Sequence, residues 1–482
     1  MKLRNNFQLK ENKYNSVLKA TSLFGGVQIL NVLLNMLRTK AVAVLLGPSG
    51  VGLNGIYNET RELIHCTSNL GLDVSGVRGI SQAYEKGSAV AIDREVTLLR
   101  SWVLLLSLLG VLVCMLLAAP LSLFTFGDYD HTWGYVMLSP AVAFSTMTCG
   151  EMAVLKGLRR LKSLASASVI NVVAAIVVSL PLYYVWGIRG VLPALVLCCL
   201  SWMLVAMCFG YKAHPPRFCF GKGSLKAGNV MLGIGVTFVV CEVVSHLAGL
   251  TVQSYLNNNA SLHMVGLYNA CRTMTLTYAG MVFSAMEQDY FPRLTGVIGD
   301  AIKRVQVLMR QVDVTLIIIT PLLVALIVAL PLVIPLVLSG EFRAIIPMTQ
   351  VVTAGLIFRA VYLPHAYLPL AAGHSKVYFA LNLVGALNTF WIIAGYALGG
   401  LMGMGTAMFL ENLADLLMVA VVTRVKYGVT LPRKTLRMML TSTLLIAATY
   451  ALSLLATGIA YWLLGAMLTA VSAYLSYNYY KS

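Results

Sequence analysis

Charge is scarce in this chain. Of its 482 residues only 11% are charged and 59% are hydrophobic, whereas a soluble domain carries about 25% charged residues, so water cannot be the solvent for most of its surface. Acidic side chains are rarest, with 18 Asp and Glu against 35 Lys and Arg. The nine cysteines are an odd number, lie mainly in apolar runs and form no C-x-x-C pair; that argues against a disulfide framework or a zinc site and for small buried apolar side chains. No G-x-x-x-x-G-K-[ST] loop is present, since Gly221-Lys222-Gly223-Ser224 lacks the spacing, and ATP hydrolysis within the chain is not expected. The longest connection between apolar runs, Gly210 to Val230, leaves no extramembrane domain to hold the donor and acceptor of a transferase.

What the chain has is long apolar runs. A helix needs about 20 mostly apolar residues to cross about 30 Å of hydrocarbon, and fourteen such runs can be read between Ala20 and Tyr479. The second, Gly52–Tyr84, is polar enough to be broken. Lys2, Arg4, Lys10 and Lys13 precede the first run, which is too long for a signal peptide core and reads as a retained span. With the N-terminus placed in the cytoplasm, the outside loops hold only Arg189 and Arg343, while the inside segments hold nearly all other Lys and Arg. This is the positive-inside pattern, and it places both termini in the cytoplasm. The net charge of +17 is thereby read as topology and contact with the lipid bilayer, and not as nucleic-acid binding.

The chain also repeats itself in the same direction. Val51-Gly52-Leu53-Asn54 resembles Val265-Gly266-Leu267-Tyr268, Asn171-Val172-Val173-Ala174-Ala175 resembles Asn382-Leu383-Val384-Gly385-Ala386, and Gly187-Ile188-Arg189-Gly190-Val191 resembles Gly400-Leu401-Met402-Gly403-Met404, all at a spacing near 214 residues. The expected fold is therefore an all-α polytopic membrane protein of about 14 transmembrane helices, two six-helix bundles in parallel repeat plus two C-terminal helices. Its expected parts are a basic tail (1–19), an N-terminal bundle (20–211), a linker (212–229), a C-terminal bundle (230–425) and two additional helices (426–482). Parallel repeats place a substrate site near the bilayer midplane and let the halves rock for alternating access.

Ionisable side chains in the hydrocarbon cost about 2.5–3.5 kcal/mol each on insertion scales, so each is a candidate for function or for a buried pair. Gln28, Asn31, Asn35 and Arg38 form one helical stripe in the first span, and Asn54, Asn58, Arg61 and His65 another in the second. Glu242, His246, Gly249 and Gln253 do the same in the seventh, and Asn269 and Arg272 lie one turn apart in the eighth. Arg359 lies in the tenth. Arginine binds phosphate oxygens bidentately and stays charged when desolvated, so Arg38, Arg61, Arg272 and Arg359 suit an anionic headgroup such as a diphosphate, with the Asn and Gln side chains toward sugars. Glu59 and Glu62 are positioned to neutralise Arg61. Glu242 with His246, and Glu411 with Asp415, each sit four residues apart and can share H+ or Na+; pairing within the bundle explains them as readily. Glu151 and Asp313 lie beside basic loops, where surface ion pairs account for them.

Leu45-Leu46-Gly47-Pro48-Ser49-Gly50-Val51-Gly52-Leu53, Tyr290-Phe291-Pro292-Arg293-Leu294 and Gln350-Val351-Val352 resemble segments of the Wzx-type polysaccharide transporters of the multidrug/oligosaccharidyl-lipid/polysaccharide exporter superfamily, in which the MATE-like antiporters also fall. The twelve-plus-two arrangement extends the resemblance over nearly the whole chain. It implies an inner-membrane flippase that carries an undecaprenyl-diphosphate-linked O-antigen or capsule repeat unit to the periplasmic face, beside a polysaccharide polymerase and glycosyltransferases. Related peptidoglycan-precursor flippases use arginines on the first, second and eighth spans, where this chain has Arg38, Arg61 and Arg272. The tenth span departs from some members in having Ala354 and Ile357 after the Gln, without acidic or lysine residues. A cation or drug antiporter on the same fold and a membrane glycan transferase are the competing expectations.

Overall fold

The computed structural model describes the backbone of residues 2–481, with side chains described for 30–221, 239–276, 280, 283, 286 and 290–481. Gln28 lies outside the residues whose side chains are described. Among the described residues every regular element is a helix.

Packing divides the chain into two compact units, Met1–His246 and Leu247–Ser482. The division falls inside a helix, whereas the linker read from the sequence is 212–229. The first unit holds α1 (Lys2–Asn69), α2 (Leu72–Glu85), α3 (Ala89–Leu116), α4 (Ala118–Phe126), α5 (Thr132–Gly157), α6 (Leu161–Trp186), α7 (Val191–Ala213) and the first part of α8 (Lys222–Asn259). The second holds the rest of α8, then α9 (Leu262–Arg272), α10 (Gly280–Gly296), α11 (Ala301–Val337), α12 (Ile346–Ala371), α13 (Ser375–Asn388), α14 (Trp391–Tyr427), α15 (Arg433–Leu455) and α16 (Gly458–Lys481).

Ten stretches of the described residues are long and apolar enough to cross a bilayer. Three of them hold two expected spans each, joined through a break. In α1 the break is Gly47, whose φ of 60° and ψ of −173° no helix contains; Pro48 then starts the second leg, where its missing N–H costs nothing. Between α6 and α7 it is a 3-10 turn, Gly187–Gly190, and in α14 it is Gly399 and Gly400. The eighth span is the segment from α9 to α10, interrupted by a π-helical stretch, Thr273–Ala279. Ten stretches, three of them double, and this interrupted one account for all fourteen expected spans, and the chain is a multi-pass membrane protein.

The repeat is visible in the backbone itself. Gly187 has φ 53° and ψ −132°, and Gly400 has φ 56° and ψ −136°. Both are left-handed conformations that glycine adopts without steric cost. Three residues on, a Cβ added to Gly190 would overlap the carbonyl of Leu182, and one added to Gly403 would overlap that of Gly395. All three pairs of positions keep the same spacing, so the two corners fold back on themselves in one geometry.

Apolar packing fixes each unit separately. Leu72, Ile80, Val96, Leu99 and Val103 pack with Val154 in the first. In the second, a longer cluster runs along α11 and α12 from Val312 to Val361 and reaches Met438 and Ile446 of α15. The two added C-terminal helices are thus held on the second unit by α11.

Candidate functional site

The polar stripe of the first span turns toward its own bundle. Asn31, 6% exposed, donates from Nδ2 to Ser168 Oγ of α6 at 2.8 Å, and Asn35 donates to the Asn31 carbonyl one turn back. Arg38 reaches the hydroxyl of Tyr183, also on α6. Its Nε is buried and has no acceptor among the described residues. Arg38 lies roughly 14 Å below Gly47 along the helix axis, well inside the hydrocarbon.

The second leg of α1 carries a denser network. Arg61, 6% exposed, is ion-paired with Glu62 and donates to Ser145 Oγ of α5 and to Asn58 Oδ1. Asn58 in turn donates to Asn54, and His65 meets Thr146 Oγ1 at 3.0 Å. The charge of Arg61 is therefore answered inside the bundle. Glu59 takes a different partner, His246 of α8, with Nδ1 to Oε1 at 2.9 Å. His246 is thus joined to Glu59 and not to Glu242, which accepts from the Cys66 thiol at 3.6 Å.

In the second unit two residues missed by sequence reasoning complete a cluster. Asn388, the last residue of α13, donates from Nδ2 to Asp415 Oδ1 at 2.8 Å, and Thr389 donates from Oγ1 to Glu411 Oε1 at 3.1 Å. Arg359 of α12 lies within electrostatic reach of both carboxylates, and Arg272 within reach of Glu411. Arg272 also stacks on the ring of Tyr268, 5.7 Å from its centroid, and Asn269 donates to the buried Gln253 at 3.1 Å. The structure thus joins two groups that the sequence kept separate, the arginines and the acidic pair. Arg272 ends α9 where the π stretch begins, and Asn388 ends α13, with two residues between it and α14. Each lies roughly 17 Å from the turn that closes its span, near the middle of a 30 Å core. Irregular backbone at membrane depth is tolerated where it lines a cavity or is buried in protein, and π-bulges frequently mark functional sites.

Glu151 corrects an expectation. It is not a surface partner but part of a buried bidentate pair with Arg100, their side chains 6% and 3% exposed. Arg100 Nε and Nη2 donate to the two carboxylate oxygens at 2.7 and 2.8 Å, and Nη1 donates to the carbonyls of His214 and Pro215. The pair ties the end of α7 to α3 and α5. A Cβ on Gly210 would overlap Glu151, so only glycine leaves room for it.

Solved structures that share this helix arrangement are transporters. The fold is similar to that of "Lipid II flippase MurJ, inward closed conformation", with a TM-score of 0.68 and 16% identity over 95% of this chain and 98% of that one. It is similar to an inward-facing multidrug resistance MATE family transporter of the MOP superfamily, with a TM-score of 0.69 and 14% identity over 83% of this chain and 94% of that one. A MOP superfamily transporter from Pyrococcus furiosus aligns at a TM-score of 0.55 and 13% identity, over 85% and 94% of the two chains. The fold is thus that of the MOP superfamily transporters. The polysaccharide biosynthesis protein family matches residues 17–297, more than half of the sequence, and this chain belongs to that family. No curated protein matched.

Proposed function

We propose that this chain is a flippase that moves an undecaprenyl-diphosphate-linked oligosaccharide, an O-antigen or capsule repeat unit, from the cytoplasmic to the periplasmic leaflet of the bacterial inner membrane by alternating access. Membership of a polysaccharide biosynthesis family and the MOP fold support it. The observation that carries it is Arg38, a guanidinium at membrane depth with no carboxylate partner among the described residues and a buried Nε without an acceptor. A cation at membrane depth without a counter-charge is costly, and a diphosphate supplies both the charge and the acceptor oxygens that a guanidinium fork fits. Arg272 and Arg359 take the same role in the second unit. Arg61 is the weakest of the four assignments, since Glu62 already balances it; Asn31, Asn35, Asn58 and Asn269 orient these arginines or meet sugar hydroxyls.

Glu411 and Asp415 supply the coupling-ion site in this reading. With the oxygens of Asn388 and Thr389 beside them, they offer ligands for Na+ or a carrier for H+, and they lie close enough to Arg272 and Arg359 for cation and phosphate to affect one another. The Glu59–His246 pair is a second proton carrier. Glu242, whose hydrogen-bond partner is the Cys66 thiol, is the weaker candidate. Both termini lie in the cytoplasm in this scheme, following the basic loops.

The acidic groups of both units favour one other reading, a cation or drug antiporter. The two separate in proteoliposomes loaded with fluorescent undecaprenyl-diphosphate oligosaccharide and probed with an impermeant quencher. Protein-dependent exposure of inner-leaflet lipid, lost when the diphosphate is absent from the carrier, is the expected result. Accumulation of a cationic dye without lipid exposure would sink the flippase reading in favour of the antiporter, and a new glycosidic bond would favour a transferase.

A further inference from the structure

A cavity of about 480 Å3 opens at the basic end of the first unit, away from the membrane-depth clusters. Four segments build it: the end of α2, the first turn of α3, the turn between α5 and α6, and the end of α7. Tyr84, Ile92 and Leu158 give it an apolar side, and Arg159, Arg160 and His214 give it a basic rim; none of its lining residues is acidic. The volume is that of a small-molecule site, and an apolar wall with a few convergent polar groups is the usual composition of one.

The rim is built with basic groups where structure alone would choose otherwise. Arg159 has φ 54°, a left-handed conformation for which glycine is the unstrained residue. Its guanidinium meets Glu85 in an exposed ion pair, the two side chains 58% and 63% accessible, and such pairs are weak enough to exchange partners. Arg160 is exposed; its backbone bonds to Leu155 and Leu164, while its side chain makes no ion pair or hydrogen bond among the described residues. His214 pairs with Asp93 at 3.3 Å, so the mouth is left with Arg160 and with Arg159 in an exchangeable surface pair.

We infer that this cavity binds a phosphate group carried on an apolar or aromatic body, the arginines holding the phosphate and Tyr84, Ile92 and Leu158 the body. The inference does not depend on the proposed substrate, because the site shares no residue with either membrane-depth cluster. Two sources share this chemistry, an anionic phospholipid headgroup at the edge of the leaflet and a soluble phosphate compound.

The test uses the purified full-length chain in detergent, titrated with phosphatidylglycerol, phosphatidylcholine and pyrophosphate. Arg160→Ala removes one charge, and Arg159→Gly removes the other while relieving the backbone; Arg433→Ala, in the second unit, controls for diffuse charge. Saturable binding of phosphatidylglycerol or pyrophosphate is expected in the wild type and in Arg433→Ala, weakened about tenfold in each cavity variant, the loss that follows removal of one charge-assisted hydrogen bond. Binding of phosphatidylglycerol alone identifies the leaflet as the source, and binding of pyrophosphate a soluble one. Arg159→Gly should melt no lower than wild type, which separates lost binding from lost fold. The proposal fails if neither anion saturates, if the cavity variants bind as wild type does, or if Arg433→Ala loses as much as they do.

Discussion

Around its second span the first unit closes charge on charge, Arg61 on Glu62 and Glu59 on His246, and leaves only Arg38 of the first span without a carboxylate among the described residues, whereas the second unit sets Arg272 and Arg359 among Glu411, Asp415, Asn388 and Thr389 beside the π-helical interruption and the end of α13. Their corners, in contrast, are the same: Gly187 and Gly400 share a backbone conformation, and Gly190 and Gly403 share a close approach. At the repeat spacing Arg272 corresponds to Asn58, and Ser261, which caps α9 by accepting from the Met264 amide, corresponds to Gly47. Duplicated backbones are thus held alike where sterics allow only glycine. Where the requirement is only for a polar group or a helix start, each copy has its own chemistry.

The comparison breaks first at the corners. Gly190→Val and Gly403→Val each drive a branched side chain into a backbone carbonyl, and each is expected to destabilise by about 3 kcal/mol or more, read as loss of folded protein on heating in detergent. If one corner tolerates valine, the corners are not equivalent. Next comes Glu151→Ala, which strands Arg100 and should cost about 3–5 kcal/mol; the double substitution Arg100→Leu with Glu151→Leu should recover much of the thermal midpoint. A single variant as stable as wild type would show that the pair is not buried in the membrane-embedded protein.

The charge difference is sharpened by paired carboxylate substitutions. Glu411→Gln should reduce the dependence of lipid exposure on a Na+ or H+ gradient about tenfold, and Glu59→Gln about twofold or less. Equal effects would remove the distinction between the units. The smallest effect is expected at Asp300, which caps α11 by accepting from the amides of Ile302 and Lys303. The Lys303 amide, then the Lys303 ammonium and the Ile302 amide, hold its carboxyl below the usual aspartate range. Its stabilisation is full above the unfolded value and fades as pH falls through the lower folded one, so the slight loss in thermal midpoint of Asp300→Ala should be present at neutral pH and vanish in strong acid.

Much of this was legible in the chain. Hydropathy located the spans, and the matched segments Gly187–Val191 and Gly400–Met404 exposed the repeat whose two corners the backbone shows, because span length and local glycine pattern are properties of the chain itself. Side-chain partners were less legible, since they depend on which way a helix is rotated. Asn31 and Arg38 share a stripe as expected, but the stripe meets Ser168 and Tyr183 of α6. His246 met Glu59, far away in sequence, instead of Glu242 one turn off. Asn388 and Thr389 carried no periodic signal because they sit where α13 stops, and an interruption inside an apolar run leaves hydropathy unchanged. Glu151 read as a surface group because basic loops flank it; the space that buries it comes from the missing side chain of Gly210, on another helix.

Lipid-linked intermediate on each leaflet, measured in cells or proteoliposomes carrying Arg38→Ala together with Arg272→Ala, tests the phosphate assignment most directly. The double variant should fold, reach the membrane and leave the intermediate on the cytoplasmic leaflet, with Arg38→Lys and Arg272→Lys restoring only part of the flux because an ammonium lacks the guanidinium fork. Wild-type flux in the folded double variant would contradict the account.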